Sequence, residues 1–383
     1  MINAGKMSLC MIVKNEEKRI ARCLESVKNV VDEMIIVDTG STDGTKEICR
    51  SFGASVYTYE WKDHFGEARN FGIDKASGEW ILWLDADEEV ETADAHHLRD
   101  VFNTEECYLG LVRVINYYGK APHDSNRSHV LEQSRLFRNE PRFRFNNAIH
   151  EQLSIETLDS EGYGGTRLPV TVHHYGYMDE TVTEKKKGER NLRLLEKEKD
   201  AEGYSPWVDY HIGSELYRAG EFVRAFDQVN VAIRRFLASG KKPPSLLYKL
   251  KYTILINVGS FEGARTGIEL AIQMYPDYVD LYFCKGVILF ELQQFEEAIE
   301  VFKQCLEIKE EANGHLTLVG SGSFHAWFYL GSCYQKLGHI QQAELAYIEA
   351  LTLYPSHEEA QEALYKLGQS RGEEISVEGE EAE

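Results

Sequence analysis

The sequence predicts a Rossmann-like α/β domain with a mostly parallel sheet, followed by an all-α solenoid of paired helices. Three observations point to this. Strand and helix signals alternate over about the first two hundred residues, strand signals cease near residue 205, and small residues recur at a regular step beyond that point. A chain of 383 residues also exceeds one ordinary core and suits two domains.

Ser8 to Val13 is a short apolar run, followed by a polar-faced helix from about Glu16 to Val27. Met34 to Val37 reads as a buried strand that ends at Asp38 and enters the turn-rich segment Thr39-Gly40-Ser41-Thr42-Asp43-Gly44. Asp43 is suited to N-cap a helix from Thr45 to Phe52, and a strand follows near Ala54 to Tyr59. Trp80 to Leu84 is another continuous apolar run, and it leads straight into Asp85. Such strands alternating with helices make a sheet covered on both faces. Sheets of this kind bind ligands at the carboxyl ends of their strands, where Asp38 and Asp85 both fall.

Beyond residue 205 the spacing changes character. Gly331 is preceded by Trp327 and Leu330 and followed by Tyr334, Gly338, Ala343, Tyr347, Ala350 and Pro355, which is the spacing of a tetratricopeptide repeat. Gly286, Ala298 and Phe302 echo it, as do Gly259, Ala264, Ala271 and Pro276, and before them Gly213, Gly220, Ala225 and Ala232. The step from Tyr252 to Gly286 is 286 − 252 = 34 residues, one repeat length. The loops near 240–244 and 310–323 read as insertions. The expected division is an α/β domain with a linker helix over 1–200 and four repeats plus a capping helix (Glu358 to Gly368) over 205–370. An acidic tail over 371–383 is expected to be disordered.

A formal charge of −21 repels nucleic acid and anionic membrane alike, so neither is expected as a partner. The seven cysteines show no Cys-x-x-Cys spacing and sit in apolar patterns, which suits reduced thiols in a cytoplasmic protein. Lys14-Asn15-Glu16-Glu17 interrupts the first apolar run, so no signal peptide is read there, and no run is long enough to span a membrane.

The chemistry centres on Asp85-Ala86-Asp87-Glu88-Glu89. Carboxylates at a strand end are held rigidly at the sheet rim, where a hard cation can sit between protein and a diphosphate. Taken alone the pattern also fits an acidic helix start. The ordered series MIVKNEE, VDTGSTDGT, ARNFG and ASGEWILWLDADE resembles the family-2 glycosyltransferases of GT-A fold over residues 7–180. That resemblance implies a nucleotide-sugar donor and Mg²⁺ or Mn²⁺. It implies that Asp38 contacts base or ribose, that Arg69 supports the nucleotide, that Asp85 approaches ribose and metal, and that Asp87 ligates the metal. Order within the family makes Glu151 the catalytic base. His174, after a strand, is read as a further metal ligand because a neutral imidazole binds transition cations; His173 should then face away. Lys187 and Arg190, in the densest basic run, are expected to approach the diphosphate, although a solvated helix face explains them equally.

The whole order resembles bacterial transferases joined to tetratricopeptide repeats, a group that includes peptide S-glycosyltransferases of glycosylated bacteriocins. It implies inverting transfer from a UDP-sugar (glucose or N-acetylglucosamine) to a Cys, Ser or Thr side chain of a peptide or protein. Two other readings stay open: a non-catalytic repeat scaffold on a degenerate transferase, and transfer to a non-peptide cell-envelope acceptor. The repeats would bind the acceptor or join copies into a homo-oligomer, and the sequence does not choose between these.

Overall fold

The computed structural model describes residues 5–103, 107–154, 165–181, 187–310 and 314–380. The chain divides into two compact units, Met1–Glu215 and Leu216–Glu383. The boundary lies inside the helix Pro206–Arg218, later than the 200–205 at which the strand signals cease. The first turns of that helix are tied to the amino-terminal unit, where buried Asp209 pairs with Lys199 at 3.3 Å.

In the first unit the strands are β1 (Met7–Val13), β2 (Glu33–Asp38), β3 (Ser55–Thr58), β4 (Trp80–Trp83), β5 (Glu88–Val90), β6 (Leu109–Gly119), β7 (Ser128–Arg138), β8 (Phe145–Asn146), β9 (Gln152–Leu153) and β10 (Thr166–Met178). Eight of them form one sheet in the order β3-β2-β1-β4-β7-β6-β10-β5. The first four are mutually parallel, as the continuous apolar runs imply. The other half is mixed: β6 and β10 run parallel, whereas β4–β7, β6–β7 and β5–β10 are antiparallel.

Both faces of the sheet are covered. Alternate residues Met7, Leu9, Met11 and Val13 of β1 enter a core with Ile20, Cys23, Leu24 and Val27 of the helix α1 (Ile20–Val27). Cys10, Ile35 and Ile81 face the other way, toward Ile73 of α3 (Phe65–Ile73) and toward Phe137, Phe143 and Phe145. The chain leaves β1 for β2 on one side and returns through β3 to β4 on the other. A crevice therefore opens where the carboxyl ends of β1 and β4 diverge.

The second unit is helical. Ser245–Asn257 and Phe261–Met274, Val279–Glu291 and Phe295–Ile308, and Phe324–Lys336 and Ile340–Leu353 form successive pairs. The small residues of the repeat are packing devices. A methyl group on Gly286 would stand 2.5 Å from the Phe302 ring, and one on Gly331 would stand 2.6 Å from Tyr347. The last helix, Glu358–Glu380, runs well past Gly368 and takes in most of the acidic segment expected to be disordered. Its Glu-rich composition is as compatible with a helix as with a coil. Residues 381–383 lie outside the described part.

Candidate active site

The rim of the crevice is built by two loops that hold each other. Asn15, with φ +56°, receives the backbone N–H of Thr42 on its Oδ1 at 2.8 Å and donates its own N–H to Ser41 at 2.9 Å. Glu17 accepts from the N–H of Gly44 at 2.8 Å. Asp38, at the end of β2, is 1% exposed, and its carboxylate accepts from the backbone N–H groups of Gly40 and Ser41. It shapes this loop and offers little of itself to a ligand. Asp43 accepts from the Thr45 hydroxyl and N–H at 2.5 and 3.1 Å, although the helix α2 (Thr45–Ser51) takes Gly44 as its N-cap. Asp43, expected as the cap itself, thus acts from one position upstream of the observed cap.

The acidic turn after β4 is braced by two arginines. Arg69 on α3, with a side chain 6% exposed, reaches Asp85 at 2.8 Å and Glu151 at 2.5 Å. Arg135 on β7 pairs with Glu88, whose carboxylate also accepts the Asp85 N–H at 2.9 Å. The two guanidinium groups lie over the Trp83 ring, at 4.7 Å for Arg69 and 3.9 Å for Arg135, so the cations are packed as well as paired. Desolvation pushes the Asp85 carboxyl upward, but the charge and hydrogen bond of Arg69 together with the charge of Arg135 leave the net shift downward. Glu88, fully buried, is raised by desolvation in spite of Arg135.

Asp87 is 4% exposed and carries a different neighbour. Antiparallel pairing sets β5 beside β10, with His174 opposite Glu88, and the N–H of Tyr175 donates to the Asp87 carbonyl at 3.0 Å. His174 Nε2 then stands 3.6 Å from Asp87 Oδ1. Burial lowers the His174 pKa, but the Asp87 carboxylate, Glu88 and Asp85 together leave it raised. His173 turns elsewhere, to the Tyr117 hydroxyl at 2.8 Å and Glu91 at 3.1 Å. Gly176 borders the pair, since a Cβ there would lie 2.3 Å from His174 Nε2 and 3.1 Å from Asp87 Oδ2.

Asp87 and His174 fit a divalent cation. Two donors bound to one ion at ordinary lengths are about 3–3.6 Å apart. Among the described residues no set of three or more His, Cys, Asp or Glu side chains converges as a metal group. A Mg²⁺ or Mn²⁺ ion there would draw its remaining ligands from diphosphate oxygens and water, as these ions commonly do.

Glu151 lies in the loop after β8, beside His150, whose φ is +48°. Arg69 reaches Glu151 across 82 positions of sequence and Asp85 across 16, and so brings the two carboxylates together. Arg190 packs over Phe65, donates to Asn191 at 3.0 Å, and feels the charges of Glu215, Glu151 and Glu16. Lys187 opens the helix Lys187–Lys199, and its side chain lies outside the described part. Thus Asp85 of the acidic turn gathers Arg69 and Glu151, Asp87 of the same turn meets His174 of β10, and Asp38 sits in the neighbouring loop. Asn15, Arg135 and Gly176 were missed by sequence reasoning. Nothing local in the sequence shows that Arg135 meets Glu88.

Residues 8–158 match the family described as glycosyl transferase family 2, and residues 279–312 and 324–357 match the tetratricopeptide repeat. A TPR repeat-containing protein of Synechococcus elongatus is 31% identical over 71% of this chain and 65% of its own length. The SPbeta prophage-derived glycosyltransferase SunS of Bacillus subtilis is 27% identical over 74% of this chain and 67% of its own length. An uncharacterized glycosyltransferase of Rickettsia typhi is 45% identical over 27% of this chain and 36% of its own. The chain therefore spans about two thirds of the length of the first two relatives. Among solved structures, a MamA double mutant from RS-1 aligns over 47% of this chain and 92% of that one, with TM-score 0.39 and 16% identity. No helix among the described residues is long and apolar enough to cross a membrane. The amino-terminal domain belongs to glycosyltransferase family 2, and tetratricopeptide repeats follow it.

Proposed function

We propose that this chain is an inverting, metal-dependent glycosyltransferase that moves a sugar from a UDP-linked donor to a Cys, Ser or Thr side chain of a peptide or protein. The observation that carries the reading is Asp87, on the acidic turn at the carboxyl end of β4, standing 3.6 Å from His174 of β10 in a family-2 domain. A divalent cation seated there would neutralise charge on the departing diphosphate. The protein's own residues do the rest. Arg69 fixes Asp85 and Glu151 as neighbours, so its support for the nucleotide runs through those carboxylates. Asp38 holds the loop that flanks the crevice, and Arg190, near Glu151, adds positive charge on that side. Lys187 is assigned to the diphosphate with it.

In the transfer, the acceptor sulfur or oxygen attacks the anomeric carbon as the bond to the diphosphate oxygen breaks, and the acceptor proton passes to Glu151 Oε2. Oε1 is the oxygen held by Arg69. Peptide acceptors are favoured by the repeats, because solenoids present extended surfaces to polypeptides. Incubating Cys-, Ser- and Thr-containing peptides with UDP-glucose or UDP-N-acetylglucosamine and Mn²⁺, then weighing them intact, tests the proposal. A gain of one sugar residue supports it. Donor consumption without any peptide gain removes the peptide acceptor, and no donor consumption at all removes the enzyme.

A further inference from the structure

We infer that Asn116 is a positioning residue that sets the tautomer of His174 and so presents the Nε2 lone pair to a cation beside Asp87. The inference rests on the reading of Asp87 and His174 as cation ligands.

The strand pattern first singles out this position. On β6, Val112 and Val114 are 1% exposed, and on β10, Val170 and Val172 are 2% and 0% exposed; all four belong to one core. Side chains two apart on a strand share a face. The next residues on that face are Asn116 and His174. The register pairs Val114 with Val172 and then Asn116 with His174. Two apolar rows thus end together in one amide and one imidazole, at a place where another Val–Val pair would extend the core. Placing polar groups there costs free energy unless they are bonded to each other.

They are bonded, and in a particular sense. His174 Nδ1 lies 2.8 Å from Asn116 Oδ1. Asn116 Nδ2 donates to the backbone carbonyl of His129 at 3.4 Å, and His129 is its register partner on β7. A carbonyl accepts only, so it orients the amide nitrogen toward β7 and the amide oxygen toward β10. That oxygen in turn accepts a hydrogen bond from Nδ1–H. With Nδ1 carrying the hydrogen, the neutral ring has its lone pair on Nε2, the nitrogen that faces Asp87. Ligating histidines are commonly held by such an acceptor on the far nitrogen, and losing it typically weakens metal binding 10–100-fold. Gly176 completes the arrangement by leaving the Nε2 side clear.

The test compares the parent protein with Asn116→Leu, similar in size but without an acceptor, and Asn116→Asp, which restores one. Mn²⁺ affinity is measured by calorimetry on the full chain, melting curves confirm folding, and the imidazole ¹⁵N shifts of His174 are read at a pH where the ring is neutral. We expect Asn116→Leu to bind Mn²⁺ about 10–100-fold more weakly, Asn116→Asp to stay within a few-fold of the parent, and the Nδ1–H signature to be lost only in Asn116→Leu. Unchanged affinity in a folded Asn116→Leu overturns the inference. If Asn116→Leu does not fold, a folded Asn116→Ser must show the weakened affinity, and parent-like binding there overturns it equally. A parent protein that binds no Mn²⁺ defeats the cation reading itself; the ¹⁵N shifts then show separately whether Asn116 sets the tautomer.

Discussion

A guanidinium buried among carboxylates is stable only while both sides of the pairing remain, because removing one leaves a charge without compensation. Arg69 is such a group: 6% exposed, bonded to Asp85 and Glu151, and lying over Trp83 and Phe145. Arg69→Met should lower stability by about 3 kcal/mol, at the low end for a broken buried pair because Asp85 keeps 37% exposure. Chemical denaturation with its midpoint and slope reads this directly, and a loss below about 0.5 kcal/mol would show that the pairs are cosmetic. Glu151 allows a sharper chemical test. A thiol, with pKa about 8.5, is partly ionised at neutral pH, whereas a hydroxyl depends on the base. Glu151→Gln should therefore slow transfer to Ser or Thr peptides more than to Cys peptides. Equal losses with both would remove the base assignment.

Helices and strands set a second kind of constraint, one of room and register. Gly331→Val places carbon against the Tyr347 ring, 2.6 Å from where its Cβ would begin, and should cost about 1–3 kcal/mol through overpacking. A melting temperature equal to the parent's would mean that the helix pair can open there freely. The last repeat also contains a titrating pair. His325 Nδ1 lies 3.2 Å from His357 Nε2, with Phe324, Phe328 and Tyr354 around them and Glu359 at the rim. Burial first, and His357 second, hold His325 down to about 4, with Glu359 opposing. Because the folded state resists protonation, the unfolded chain binds more protons between roughly 6.5 and 4. Stability should therefore fall as pH drops through that window, by at most about 3 kcal/mol, and level off below it. His325→Phe should flatten the thermal-melt profile between those limits; an unchanged profile would assign the acid sensitivity to other groups. These elements also mark what the sequence made legible. β1, β2 and β4 announce themselves as continuous apolar runs ending in Asp38 and Asp85, and the glycines of the repeats carry their packing reason in their spacing. The short β5 gives no such signal, since Glu88 to Val90 is acidic and only its antiparallel pairing with β10 makes it a strand. Asp87, through the family resemblance, and His174, through its imidazole, could be named as candidate ligands, but Asn116 could not, because an amide inside an apolar strand carries no local signature.

At the scale of the molecule, a family-2 domain whose crevice is rimmed by acids belongs to a chain with a formal charge of −21. Such a chain repels a diphosphate unless a cation reverses the sign locally. Donor binding should therefore depend on metal across the whole protein, and the repeats cannot supply that charge in its place. This dependence is the central claim, and calorimetric titration of the full chain with a UDP-sugar, with and without Mn²⁺, tests it most directly. We predict saturable binding with Mn²⁺, none in its absence, and loss of the metal-dependent signal in Asp87→Asn; equally tight binding of the donor to the metal-free protein would contradict it.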